Sequence, residues 1–230
     1  MRRNVFTLDQ VVPWGRSFDE YRRMFALDEA DLARRILGCG DGPASFNAVA
    51  SRRGMRVTSC DPVYRWSVDD LRVRIDQAYG EMLEQVRQNQ EDFVWDAIPS
   101  VDELGRVRMD AMQAFLADYP GGAREGRYVD AALPSLPFGD RGFDLALCSH
   151  LLFLYSSQLG EAFHHAAVLE LGRVATEVRI FPLLALGSVP SPFVAGCTDL
   201  LRGSGYDVSI EPVPYEFQRG GHQMMRFRRP

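Results

Sequence analysis

Three glycines at alternate positions, in Ile36-Leu37-Gly38-Cys39-Gly40-Asp41-Gly42-Pro43, are the residues of this chain best suited to hold a ligand. Without Cβ atoms the backbone can turn tightly and let a ligand lie against it. Pro43 suits the first position of a following helix, whose free N–H groups would receive a polar or anionic group. Asp61 falls nineteen residues after Gly42, at the end of an extended run. A carboxylate there can accept hydrogen bonds from both ribose hydroxyls of an adenosine. Glycine triplets alone also serve ordinary strand-to-helix turns; joined to a strand ending in Asp61, this one points to a nucleoside-bearing ligand. Nicotinamide and flavin dinucleotides call for G-x-G-x-x-G/A, and Pro43 stands where the third small residue should be.

Elsewhere the candidates are fewer. His150 follows an apolar run and is the best-placed general base, because imidazole titrates near neutral pH. Packing or capping a strand end is its competing role. His164 and His165 in a helix, and His222 in the tail, read as structural. The four cysteines, Cys39, Cys60, Cys148 and Cys197, show no CxxC pairing, so neither a zinc site nor a disulfide framework is expected, and buried thiols are.

The elements that must position these groups alternate. Ser17 to Ala33 reads as a helix capped by Ser17, with Phe18, Tyr21, Met24 and Phe25 at helical spacing. A strand through Ile36-Leu37 enters the glycines, Pro43 to Arg53 reads as a helix closed by Gly54, and Arg56 to Cys60 as a second strand. Val68 to Asn89 and Val101 to Tyr119 look like amphipathic helices, the second ended by Pro120-Gly121-Gly122. Strands follow near Gly126 to Val129 and at Phe143 to Cys148, then a helix at Gln158 to Leu171 and a strand at Val174 to Phe181. A helix at Pro192 to Arg202 precedes the extended pair Asp207 to Val213 and Gln223 to Arg228. The expected fold is an α/β, Rossmann-like, mostly parallel sheet with an antiparallel C-terminal hairpin and a helical insertion after the second strand.

Composition narrows the chemistry. All 26 basic residues are arginine, which excludes Schiff-base, pyridoxal-phosphate and P-loop chemistry, since each requires a lysine. A net charge of -5 weighs against nucleic acid as a partner. The longest apolar run, near Ile180 to Leu186, is interrupted by Pro182 and falls far short of the roughly 20 residues that span a bilayer. The opening Met1-Arg2-Arg3-Asn4-Val5 has no apolar stretch behind its arginines, which reads as a cytoplasmic protein without a signal peptide.

The G-x-G-x-G form resembles motif I of class I methyltransferases that use S-adenosylmethionine (SAM). The resemblance continues in Leu136-Pro137-Phe138 and Phe143-Asp144, which are similar to the approach to strand four in that superfamily. It covers Ala30 to Asp61 and Gly126 to Arg228, and implies one SAM-binding domain over residues 1–230 with a helical cap at about 65–125. By that resemblance Gly38, Cys39, Gly40 and Gly42 would pass the methionine moiety, Asp61 would bind the ribose and Pro62 would flank the adenine. Asp130 or Ala131 would sit by the adenine amino group, and Ser149 and His150 would line the floor of the methyl position. One position departs: the acidic residue usually found two before the first glycine is Ile36, and Asp41, or Arg16 and Tyr21, are available to replace it. Cys148 lacks the Pro-Cys context of cytosine-methylating cysteines, and Ser149-His150-Leu151-Leu152 replaces the Asn-Pro-Pro-Tyr signature of amino-methylating nucleic-acid enzymes.

The implied function is methyl transfer from SAM to an unidentified acceptor, with a small molecule leading. The insertion's aromatics Tyr79, Phe93, Trp95, Phe115 and Tyr119 are expected to shape its site, at least two of them lining a pocket. An RNA or protein methyltransferase would need Arg72, Arg74, Arg87, Arg106 and Arg108 on one face. A non-catalytic SAM-binding module is the third reading. Oligomeric state is not readable.

Overall fold

The computed structural model describes residues 14–230, so the opening Met1 to Val5 lies outside the described residues. A seven-stranded sheet forms the centre. Its strands are β1 (Arg35–Cys39), β2 (Arg56–Cys60), β3 (Tyr128–Val129), β4 (Phe143–Ser149), β5 (Ala175–Phe181), β8 (Asp207–Pro212) and β9 (Gln223–Arg228). They are ordered β3-β2-β1-β4-β5-β9-β8. The first five run parallel, and β9 pairs antiparallel with both β5 and β8. A two-stranded hairpin, β6 (Leu184–Ala185) with β7 (Val189–Pro190), stands apart. Central strands β1, β4 and β5 are buried nearly throughout, as parallel strands covered on both faces must be, whereas edge strand β8 alternates. The connections run outward from β1 to β3 and then return to β4 beside β1. That reversal opens a crevice at the carboxyl ends of β1 and β4.

Helices cover both faces. On one, α6 (Glu161–Val174) and α7 (Val194–Gly203) contribute Ala167, Val168, Leu171, Cys197 and Leu201 to a core. On the other, α1 (Phe18–Met24) and α3 (Phe46–Arg52) contribute Phe18, Tyr21, Met24, Phe46 and Ala50. Ser17 caps α1 as expected, and Glu20 completes a capping box with it.

Three expectations are corrected. The helix read as Ser17 to Ala33 breaks at Ala26, which takes φ 47°, and resumes as α2 (Glu29–Leu32) under a second capping box from Asp28. The break lets buried Arg179 of β5 donate to the Phe25 carbonyl at 2.8 Å and to both Asp31 oxygens at 2.9 Å. Pro43 is not the first residue of α3. The helix starts at Phe46, because residues 41–45 form a turn in which Ala44 N–H donates to the Asp41 carbonyl and Ser45 N–H to that of Arg16. Its amino end is buried. Pro120 does not end the second insertion helix, which runs through it as α5 (Val101–Arg124). A proline there loses one helical hydrogen bond. The turn beyond it is held by Tyr119, whose hydroxyl donates to the Tyr64 carbonyl at 2.6 Å. Gly122 also packs so close to Tyr128 that a Cβ would approach its ring to 2.5 Å.

The insertion consists of α4 (Val68–Gln88) and α5, capped by Ser67 and Ser100. Leu71, Ile75, Met82 and Val86 form the buried stripe of α4, at the spacing an amphipathic helix requires. Among the described residues no helix is long and apolar enough to cross a membrane.

Candidate active site

Between β1 and α3 the glycine loop is shaped by left-handed backbone at Gly40, φ 69°, and Gly42, φ 52°. A Cβ on Gly40 would come within 2.6 Å of Leu151, which follows β4. Gly38 serves the loop differently, since its missing Cβ leaves room for the carboxyl group of Asp41, which folds back beneath the loop. Asp41 accepts from the Tyr21 hydroxyl at 2.7 Å and the Ser59 hydroxyl at 2.6 Å. Asp61 accepts from Gly42 N–H and Val63 N–H, both at 2.9 Å, and so pins the glycine loop to the end of β2.

Both carboxyl groups are buried, and burial pushes each up to about 6. Hydrogen bonds from Ser59 and Tyr21 oppose the rise at Asp41, and the two backbone N–H groups oppose it at Asp61. Nearby acids, Asp61 for the first and Asp130 for the second, add to it.

Two adjoining cavities meet at this loop. One, of about 130 Å³, is bounded by Gly40, Asp41, Gly42 and Asp61 on one side and by Ser149 and His150 on the other. The second, of about 510 Å³, is bounded by Cys39, Gly40, Asp61, Pro62 and Ala131. Gly40, Asp61, Val63, Met82 and Leu151 border both. Of the residues singled out from the sequence, Gly38 and Asp130 border neither cavity.

The first cavity has a basic end. Arg16 borders it, donating from Nη1 to the Trp14 carbonyl at 2.6 Å, and its Nε is buried without a partner. Burial and the like charge of Arg108 bring the Arg16 guanidinium down to about 10. Arg108 is fully buried in α5 and donates from Nη1 to Glu20 of α1 at 2.6 Å. The Tyr215 hydroxyl donates to Glu20 at 2.8 Å. Burial pushes the Glu20 carboxyl up, but Arg108 and Arg16 outweigh that and hold it at about 2. His150 adopts φ 51°, with its N–H donating to the Phe181 carbonyl at 2.7 Å and its Nδ1 2.9 Å from the Ser149 hydroxyl. Burial, then Arg16 and Arg108, hold its imidazole well below the usual histidine range, so it is neutral at pH 7.

The remaining histidines border neither cavity. His164 is buried with its ring nitrogens at the Leu152 and Gly160 carbonyls, and His165 and His222 lie beside Glu161 and Glu216. The four cysteines are free and buried, and burial pushes the Cys148 thiol up to about 12, far from a reactive thiolate. Among the described residues no group of His, Cys, Asp and Glu could hold a metal ion.

The insertion contributes Met82, Val86, Phe93 and Leu104 to the first cavity. Only Phe93 of its five named aromatics does so, which corrects the expectation of two. Phe115 and Tyr119 instead pack with Tyr64 and Tyr128 at the β3 edge, and Tyr79 packs against Trp14. The cavity's other aromatic walls, Trp14, Tyr21, Tyr155 and Phe217, come from outside the insertion. Phe217 escapes a sequence reading because it sits in an irregular stretch between β8 and β9, although Tyr215 and Phe217 at alternate positions of a loop are a visible signal. The arginines do not gather on one face: Arg72, Arg87 and Arg106 pair with Asp69, Asp102 and Glu103, Arg74 lies over Trp66, and Arg108 is buried.

No family model matches the chain. An uncharacterized protein of Methanocaldococcus jannaschii is 32% identical over 223 residues, covering 96% of this chain and 98% of that one. Among solved structures, a mitomycin 7-O-methyltransferase superposes with a TM-score of 0.50 at 14% identity, over 93% of this chain and 54% of that one. The magnesium protoporphyrin IX methyltransferase of Synechocystis, with SAM bound, gives 0.44 at 12% identity over 93% of this chain and 91% of that one. The sheet order, the reversed β9 and the crevice beside β1 and β4 are those of the class I methyltransferase fold, and the chain belongs to the same family as the Methanocaldococcus jannaschii protein.

Proposed function

We propose that this chain binds SAM across its two cavities and transfers the methyl group to a small molecule. The observation that carries the reading is Asp61, a buried carboxylate that ends β2, ties down the glycine loop and borders both cavities. Its two backbone donors leave carboxylate lone pairs free for the ribose hydroxyls. The larger cavity, with Pro62 and Ala131, then takes the adenine. The smaller takes the methionine end, where Asp41 supplies the carboxylate that Ile36, buried in the core, does not. Gly38 acts indirectly in this reading, by giving Asp41 its place.

When bound, SAM supplies a methyl group on a sulfonium leaving group. The chain itself has to hold a nucleophile about 3 Å from that carbon and to keep water out. Met82, Val86 and Leu104 make the insertion a cap in this respect. His150, neutral at pH 7, is able to accept the nucleophile's proton, but its lowered basicity suits a nucleophile that is already acidic. That same low basicity favours, as a second reading, a module that binds SAM without catalysis. The paired and buried arginines of the insertion give no support to a nucleic-acid acceptor.

Equilibrium titration with SAM, S-adenosylhomocysteine (SAH), NAD and FAD tests the assignment. SAM and SAH are expected to bind and the dinucleotides are not. Binding of NAD without SAM would end the reading.

A further inference from the structure

We infer that the methyl acceptor is an anion, a carboxylate or phosphate monoester on an apolar ring, whose negative group is received by Arg16. The word acceptor rests on the function proposed above; the anion site itself does not. Arg16 borders the smaller cavity, and among the described residues no carboxylate lies within ion-pair distance of it. Its Nε is buried with no partner. Behind it, Arg108 is wholly buried with Nε and Nη2 both unpartnered. Glu20 pairs with Arg108 alone, and it is also engaged by Tyr215 and Ser17 N–H. His150 is neutral and adds no compensating charge.

Buried charges are ordinarily matched, and a cation left without its counter-ion is costly. Among the described residues, the two guanidinium groups are met by one ion-paired carboxylate and keep three nitrogens without partners, which leaves them one negative charge short. Asp41 and Asp61 do not make it up, because their oxygens are turned to Tyr21, Ser59 and the glycine loop. Trp14, Met82, Leu104 and Phe217 supply the apolar part of the remaining wall, beside Asp92, Ser188 and Gln218, and no ion pair joins Asp92 to Arg16 among the described residues.

A carboxylate near Arg16 has two sources, the acceptor or the methionine end of SAM itself, and calorimetry on the full chain separates them. The probes are benzoate, 4-hydroxybenzoate and phenyl phosphate, each against its neutral amide or alcohol counterpart, titrated with and without saturating SAH. The expected result is that at least one anion binds the SAH-loaded protein tenfold or more tighter than its neutral counterpart. Arg16→Gln should remove that preference and change SAH affinity less than threefold, while Arg16→Lys keeps part of it. Equal binding of every anion and its counterpart overturns the inference. So does a tenfold loss of SAH affinity in Arg16→Gln with anions binding only in the absence of SAH, which would assign Arg16 to the cofactor. Anion preference in a chain that binds no SAH would keep the site and sink the methyltransferase reading. If Arg16→Gln fails to fold, the wild-type comparison and Arg16→Lys still decide.

Discussion

The two ends of the smaller cavity solve opposite electrostatic problems. Around Gly40 two buried carboxyl groups, Asp41 and Asp61, are braced by hydroxyl and backbone donors and sit at about 6. Toward His150 two guanidinium groups, Arg16 and Arg108, have one ion-paired carboxylate, Glu20 on Arg108, and burial with their charge keeps the imidazole neutral. Fixed donors let the acidic end ionise without any cation, so it is free to accept from hydroxyls or an ammonium group. At the basic end an ion pair between α1 and α5, joined by the Tyr215 hydroxyl, ties three chain segments together, so that end is structural as well as receptive.

This contrast can be broken in order of expected effect. Glu20→Gln should cost about 3–5 kcal/mol of stability by urea unfolding, because it leaves Arg108 buried and unpaired. The double variant Glu20→Met/Arg108→Met should recover most of that loss. Asp61→Ala should weaken SAH binding by about 2–3 kcal/mol in calorimetry, the scale of hydrogen bonds to a charged group, with the fold retained. Unchanged affinity in a folded variant would remove Asp61 from the ribose.

The acidic end should also respond to pH with two opposite signs. Asp41 and Asp61 take up protons more readily folded than unfolded, where both titrate near 3.8. Their contribution to the stability of the ligand-free chain is therefore greatest below about 4 and falls as pH rises through 6. The share of SAH binding that needs Asp61 ionised should weaken about tenfold between pH 7 and 5, a share that Asp61→Asn should remove. Tyr21→Phe, the smallest perturbation, removes one donor to Asp41 and should cost about 1 kcal/mol, read by thermal unfolding.

The acidic end is legible in the sequence because its parts are local. Strand β1, the glycine loop and β2 lie within 30 residues, and turn chemistry and alternation carry them without help from the rest of the chain. The placement of Gly38 is not legible, since the atom that fills its missing side chain belongs to Asp41, and a glycine pattern does not say which glycine faces a ligand. The basic end joins residues 88 and 195 apart in sequence, at Glu20–Arg108 and Glu20–Tyr215. Pairings of that range leave no periodic trace. One trace does exist: Arg108 falls on the same helical stripe as Leu104, Met112 and Phe115, and a cation on an apolar stripe announces a buried partner. Reading five arginines as one candidate surface passes over that spacing. Pro120 and Pro43 mislead for the converse reason, because packing at Tyr119 and the engaged Asp41 loop outweigh the local preference of a proline.

The Glu20–Arg108–Tyr215 knot also bears on how such a chain can be rearranged. An insertion after the second strand looks like a detachable module, joined to its host at two points. Here α5 contributes a cation whose counter-charge belongs to α1 and whose third partner belongs to the tail. Grafting the insertion onto another sheet, or deleting it from this one, would strand an ion in an apolar interior. Residues 65–125 therefore cannot be exchanged alone; the first helix and the loop before β9 have to travel with them.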